Sequence, residues 1–137
     1  MAAFEASRTV RFADCDAAGI MFFPRLMEML NGVVEAWFEG PLGLSFRELH
    51  QERGWSVPTA ALEAEFHAPS RLEDRLDWSL SVARLGRSSC ALEHRVACAG
   101  QARLTARQTI VLVGEAMTAT PWPDELRACM AAFAAAE

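Results

Sequence analysis

Residues 14–41 read DCDAAGIMFFPRLMEMLNGVVEAWFEGP. Within this stretch Leu26, Met29, Leu30, Val33, Trp37 and Phe38 recur at spacings of three and four, the pattern of one buried stripe on an α-helix. Pro24 suits the first helical turn and no deeper position, so the helix starts near Phe23, and Gly40-Pro41 ends it. It is the strongest helical signal in the chain, and the remaining segments have to be arranged around it.

Working outward, Arg8, Val10 and Phe12 alternate with Thr9, Arg11 and Ala13, which predicts a first strand over residues 7–13 running into a polar turn at residues 14–19. Downstream, Ser45 followed by Glu48 fits a capping box and Gly54 closes the segment, predicting a shorter helix over residues 45–52. The period then changes to two. A strand is expected over residues 57–66, followed by Leu76, Trp78, Leu80 and Val82 on one face of a second and Cys90, Leu92, His94, Val96 and Cys98 on one face of a third. Another strand is expected over residues 102–113. Glycine-containing breaks at residues 85–88 and 99–101 are short enough for an antiparallel meander. Pro121 and Pro123 precede an alanine-rich segment expected to be helical over residues 124–135. The predicted fold is α+β: a five-stranded antiparallel sheet wrapped around one long helix, as a single domain over residues 1–137. Such a sheet leaves open edges, so a homo-oligomer is expected.

Composition narrows the function. The chain has 137 residues, 52% of them hydrophobic, which excludes a disordered or collagen-like protein. Eighteen acids against 13 bases give a net charge of -5, so there is no positive field to attract nucleic acid. The nearly uncharged run at residues 128–136 is too short to span a membrane, and residues 1–12, with Glu5, Arg8 and Arg11, do not read as a secretory signal. A cytoplasmic location is expected. Cys15, Cys90, Cys98 and Cys129 are scattered without metal-ligand spacing, so they are expected as free thiols with no metal bound.

Serine-elbow, phosphate-loop and dinucleotide-binding patterns are all absent. Of the three histidines, His94 falls on the apolar face of its strand and is expected as a hydrogen-bonded core or interface residue, while His50 is expected in solvent. His67, at a strand end before Pro69, reads equally as an edge residue or a site residue. The remaining candidate is the loop at residues 14–24. Its aspartates could simply cap backbone amides. They could also do chemistry, because the first-turn N–H groups of a helix lack intrahelical partners and carry the positive end of the dipole. A carboxylate and orphan donors converging on one carbonyl make a minimal acyl-transfer site.

The run from Arg11 through Asp14, Asp16, Gly19, Phe22 and Phe23 to Pro24 resembles the signature of hotdog-fold thioesterases of the 4-hydroxybenzoyl-CoA thioesterase family. Val57-Pro58, Ala64-Glu65-Phe66 and Leu72-Glu73-Asp74-Arg75-Leu76 also resemble that family, and the likeness extends over roughly residues 7–114. It implies an acyl-CoA thioesterase that releases free acid and CoA, on aromatic 4-hydroxybenzoyl-like or other acyl groups, with no cofactor beyond the CoA of the substrate. By resemblance Asp16 is the catalytic nucleophile or general base, Phe23 offers its backbone N–H to the thioester oxygen, and Gly19 lets the loop fold tightly. Some relatives carry histidine at the position of Phe23, so here only the main chain would contribute. Arg84 and Arg87, with Ser88 and Ser89, stand where the benzoyl-type enzymes have a basic cluster for CoA phosphates. Met21, Phe22, Leu26, Met27, Val57 and Thr59 are expected near the acyl group. The expected partners are an acyl-CoA and further copies of the chain, as a homodimer or homotetramer. The rival readings are a non-catalytic acyl-CoA-binding hotdog module and a hotdog hydratase or dehydratase, for which His67 would have to serve.

Overall fold

The computed structural model describes residues 3–135. The long helix, α1, spans Phe23–Glu39 and buries Leu26, Leu30, Val33, Val34, Trp37 and Phe38, the stripe that the three-and-four spacing marks out. Phe22 precedes it in extended conformation, Pro24 sits in the first turn, and the Gly40 N–H closes the end on the Ala36 carbonyl. Five antiparallel strands, β1 (Phe4–Thr9), β2 (Thr59–Phe66), β3 (Arg75–Leu85), β4 (Ser89–Cys98) and β5 (Gln101–Val111), form one sheet in the order β1-β3-β4-β5-β2. α1 lies between β1 and β2 in sequence, and those two strands take opposite edges. Leu76, Trp78, Leu80 and Val82 of β3, Cys90, Leu92 and Val96 of β4, and Leu104, Ala106 and Ile110 of β5 share one core with the buried stripe of α1.

Several boundaries differ from the sequence expectation, each for a local reason. The first strand is Phe4–Thr9 and not residues 7–13: the Val10 N–H donates to the Asp74 carbonyl and its own carbonyl accepts from Glu73 N–H. The chain then curls into a 3₁₀ turn over Phe12–Asp14, so Phe12 continues the alternation in sequence yet is 84% exposed. The short helix after Ser45 is capped as expected, the Glu48 N–H donating to Ser45 Oγ, but it widens into a π turn over Glu48–Glu52 before Gly54 ends it at positive φ. The C-terminal helix, α2, spans Asp124–Ala131 and does not reach residue 135. Beyond it the Phe133 carbonyl accepts from Val82 N–H, and the Ala135 N–H donates to the Val82 carbonyl. That tail covers β3 beyond the reach of β1. β2 is the contrasting edge, with all eight residues exposed.

One polar chain crosses the core. Trp78 Nε1–H donates to His94 Nδ1 at 2.9 Å, His94 Nε2 lies 2.9 Å from Gln108 Oε1, and Gln108 Nε2 donates to Thr59 Oγ1 at 2.9 Å. Trp78, His94 and Gln108 are at most 2% exposed. Burial holds the His94 imidazole down to about 4, below its ordinary 6.5, against a smaller opposing effect of the Gln108 hydrogen bond. The unfolded chain therefore binds a proton near pH 6.5 that the folded chain refuses until pH 4. The neutral ring contributes stability in full above pH 6.5 and loses it as pH falls toward 4, a loss of about 3 kcal/mol. Urea midpoints should fall across that window, and the slope should flatten in His94→Gln.

Candidate functional site

The loop ahead of α1 is a narrow hairpin held from both sides. Cys15 and Met21 bridge it, the Asp16 N–H donates to the Ile20 carbonyl at 2.9 Å, and the Gly19 N–H donates to the Asp16 carbonyl at 3.0 Å. Gly19 adopts φ +80°, a conformation that strains any side chain, so it permits the turn. Asp16 stands at the exposed tip. Its Oδ1 accepts the Ala18 N–H at 2.8 Å, while Oδ2 has no partner among the described residues. Asp14 is differently engaged: Oδ2 accepts the Arg11 N–H and its carbonyl accepts the Phe22 N–H, so it ties both ends of the loop together.

At the start of α1 the Arg25 and Leu26 N–H groups both donate to the Phe22 carbonyl and Pro24 has no N–H. The Phe23 N–H is left without an acceptor among the described residues, a free donor at the positive end of the helix. A cavity of about 400 Å³ opens here, lined by Ile20, Met21, Phe23, Leu26 and Phe66 with residues 67–70. Phe23 packs edge-on against both Phe22 and Phe66. An open carboxylate oxygen, a free amide and an apolar recess thus lie on one stretch of chain, the parts needed to polarise a carbonyl beside an apolar group.

The expected site residues separate into two groups. Asp16, Gly19, Met21, Phe22 and Phe23 gather where Thr9 pairs with Arg75 and Ile20 bridges Arg71. Arg84, Arg87, Ser88, Ser89, Val57 and Thr59 lie at the opposite end of the sheet, where Ser89 pairs with Val111 and Thr59 with Ile110. β3, with 11 residues, separates the two ends by about 33 Å. The far turn is braced from within: Arg127 Nη1 donates to the Gly86 carbonyl and the Trp122 N–H to that of Arg87, while Arg84 and Arg87 make no ion pair among the described residues. Val57 lines a second cavity, of about 310 Å³, with Asn31, Val34, Phe46 and Ile110. His67 Nε2 lies 2.9 Å from Thr105 Oγ1, and Thr105 alternates with the buried Leu104 and Ala106, so this imidazole addresses the outer side of the sheet. His94 is a core residue, and His50 is exposed with Nδ1–H donating to the Phe46 carbonyl.

Sequence reading missed Arg103. From β5 its Nη1 reaches the Pro69 carbonyl (3.1 Å), Ser70 Oγ (3.3 Å) and Asp74 Oδ2 (2.7 Å). The Arg103 guanidinium, then the Arg71 N–H, hold the Asp74 carboxyl below its ordinary value. The Ser70 carbonyl accepts the Met21 N–H at 2.7 Å, two residues before Phe23. Arg103 therefore clamps the wall that fixes the entry to α1. The available signal was Asp74, inside the family-like run at residues 72–76.

Residues 10–130 match the family model described as the thioesterase-like superfamily. A 1,4-dihydroxy-2-naphthoyl-CoA hydrolase from Synechococcus elongatus is 32% identical over 130 residues, covering 93% of this chain and 94% of that one. Among solved structures, a 1,4-dihydroxy-2-naphthoyl-CoA thioesterase from Synechocystis superposes with a TM-score of 0.86 at 21% identity, over 93% of this chain and 95% of that one. A gentisyl-coenzyme A thioesterase superposes with a TM-score of 0.82 at 25% identity, over 90% of this chain and 99% of that one. The first of these structural likenesses speaks to the fold alone.

Replacing Arg103 by Met should lower kcat by about 10- to 100-fold through displacement of the α1 entry, with a lower thermal midpoint. The low Asp74 value implies stability present above pH 3.8 and lost as acid protonates the folded carboxylate. The midpoint gap between wild type and Arg103→Met should therefore narrow below that pH.

Proposed function

Because this chain belongs to the thioesterase-like superfamily and is a hotdog-fold thioester hydrolase, we propose that it cleaves hydroxylated aromatic acyl-CoA esters at the Asp16 loop. The observation that carries the reading is the unpartnered Phe23 N–H beside an apolar recess, at the end of the loop that exposes the Asp16 carboxylate. The substrate class is supported by the relatives. 1,4-Dihydroxy-2-naphthoyl and gentisyl groups share a ring with two hydroxyls para to one another, one of them ortho to the thioester carbonyl.

In this reading the thioester oxygen receives the Phe23 N–H, which is positioned for the oxyanion that develops on attack. The Asp16 carboxylate either attacks the carbonyl carbon, giving a mixed anhydride that water cleaves, or takes the proton of a water that attacks directly. In both routes CoA departs as thiolate. Its pKa near 8.5 makes a dedicated general acid unnecessary. His67 lines the cavity, but its Nε2 is engaged with Thr105 Oγ1, which weighs against a hydratase or dehydratase needing an imidazole at the reacting carbons.

We also infer that the working unit is at least a homodimer formed along β2. One edge of the sheet is partly covered by the C-terminal tail, whereas β2 presents eight exposed residues. Antiparallel pairing of β2 with a second copy about its midpoint sets the Thr59 end of one copy against the Phe66 end of the other. The two groups of site residues then come to the same end of the joined sheet, with the β3–β4 turn that carries Arg87 set in from the seam.

Thiol release from gentisyl-CoA and 1,4-dihydroxy-2-naphthoyl-CoA tests the activity, and absence of turnover on an aromatic and aliphatic panel would support a binding module. Asp16→Asn should lower kcat by about 10²- to 10⁴-fold with the fold intact, whereas Asp14→Asn should mainly lower the thermal midpoint. Solvent oxygen label appearing in Asp16 after a single turnover would identify the anhydride route. Arg87→Ala should raise KM for CoA esters more than for the matching pantetheine esters; equal increases would remove Arg87 from the phosphate site.

A further inference from the structure

The Trp78–His94–Gln108–Thr59 chain has one possible direction. An indole N–H only donates, so His94 Nδ1 is the bare acceptor and, in the neutral ring, Nε2 carries the proton. Nε2–H therefore donates to Gln108 Oε1, which leaves the amide nitrogen of Gln108 to donate to Thr59 Oγ1. With that lone pair engaged, the Thr59 hydroxyl proton must point elsewhere. Four strands, β3, β4, β5 and β2, contribute one side chain each. Three members are almost wholly buried and Thr59 alone is exposed. The core thus terminates in a single hydroxyl whose donor is turned away from Gln108 by the bond it accepts from inside the sheet.

We propose that the Thr59 hydroxyl determines specificity by donating a hydrogen bond to the ring hydroxyl oxygen meta to the thioester carbonyl, in a substrate held at Asp16 of the facing copy. The proposal rests on the β2 dimer and the hydroxylated aromatic substrate inferred above. Thr59 lies at the end of β2 that pairing sets beside Phe66 of the partner subunit, and in each copy Phe66 packs on Phe23, whose N–H would donate to the thioester carbonyl. The cavity beside that amide runs to Phe66 on the edge strand, so an acyl group seated in it would bring its distal oxygen toward the incoming hydroxyl. An acyl group without this oxygen leaves a desolvated donor unpaired, and that penalty is what produces discrimination.

The test compares kcat/KM for gentisyl-CoA (2,5-dihydroxybenzoyl) and salicylyl-CoA (2-hydroxybenzoyl), which differ only in the distal hydroxyl. Wild type should favour gentisyl-CoA by about tenfold or more, the ratio should fall to about one in Thr59→Val, and Thr59→Ser should restore it. Gln108→Leu should reduce the ratio by releasing the hydroxyl; if that variant does not fold, the Thr59 series decides. An unchanged ratio in Thr59→Val, or equal losses on both esters, overturns the proposal. Mixed dimers of Asp16→Asn with Thr59→Val chains separate it from the dimer reading. A site combining Asp16 of one copy with Thr59 of the other regains the wild-type ratio, whereas a ratio near one places Thr59 on its own protomer's site and refutes the arrangement across copies. Failure of wild type to hydrolyse either ester refutes the substrate reading and this proposal together.

Discussion

A single helix cannot cover five strands. At about 4.8 Å between neighbours the sheet is about 19 Å across, and a helix with its side chains is only 10–12 Å wide. α1 packs its buried stripe into one core with the inner-face residues of β3, β4 and β5. The C-terminal tail adds to β3 and the Phe133 ring packs on Trp37, so the β1 side receives further cover. Among the described residues nothing does the same for β2, whose inward-facing Leu62 and Phe66 stay 44% and 50% exposed. The uncovered strip is the feature on which both the site and the proposed assembly depend.

That strip begins where α1 begins. The same lack of cover that exposes Phe66 also exposes Phe23, and with it the amide that the helix cannot satisfy. A helix start buried beneath another element would need a capping side chain. Here Phe22 occupies the cap position and supplies no side-chain bond, so the donor stays available to a ligand. An exposed apolar edge and an unsatisfied amide would count as defects in an isolated monomer. In the assembly proposed along that edge, they would serve as an acyl cleft and an oxyanion donor.

The sequence was most legible where one local period coincided with one buried face. The α1 stripe, the β3 and β4 alternation and the glycine-bearing turns carry their packing within ten or so residues, and those elements lie where the pattern puts them. The first strand was misread because Phe12 extends an apolar alternation after the backbone has left the sheet for the loop at residues 73–74, a partner no local pattern reveals. Arg103 was invisible for the same reason, since the three acceptors of its Nη1 lie about 30 residues away in sequence. The loop from Asp14 to Pro24 could be read because turn, glycine and helix start are contiguous. Val57 and Thr59 could be named, but their distance from Asp16 depends on sheet register, which a strand's own residues do not fix.

The buried polar chain raises a separate question, because apolar side chains of similar volume would fill the same space without desolvating an indole, an imidazole and an amide. What a hydrocarbon core cannot do is orient a group at its boundary. Each bond in the chain fixes the next, and the sequence of donors is set by the one member that has no choice, the Trp78 N–H. Burial adds a second property. With the His94 ring held to about 4, the chain has one protonation state throughout the neutral range, so the bond that Thr59 accepts from Gln108 does not change with modest shifts in pH. A lone surface threonine rotates freely and discriminates weakly. Anchored through three buried partners, it carries the geometry of the sheet to the open edge.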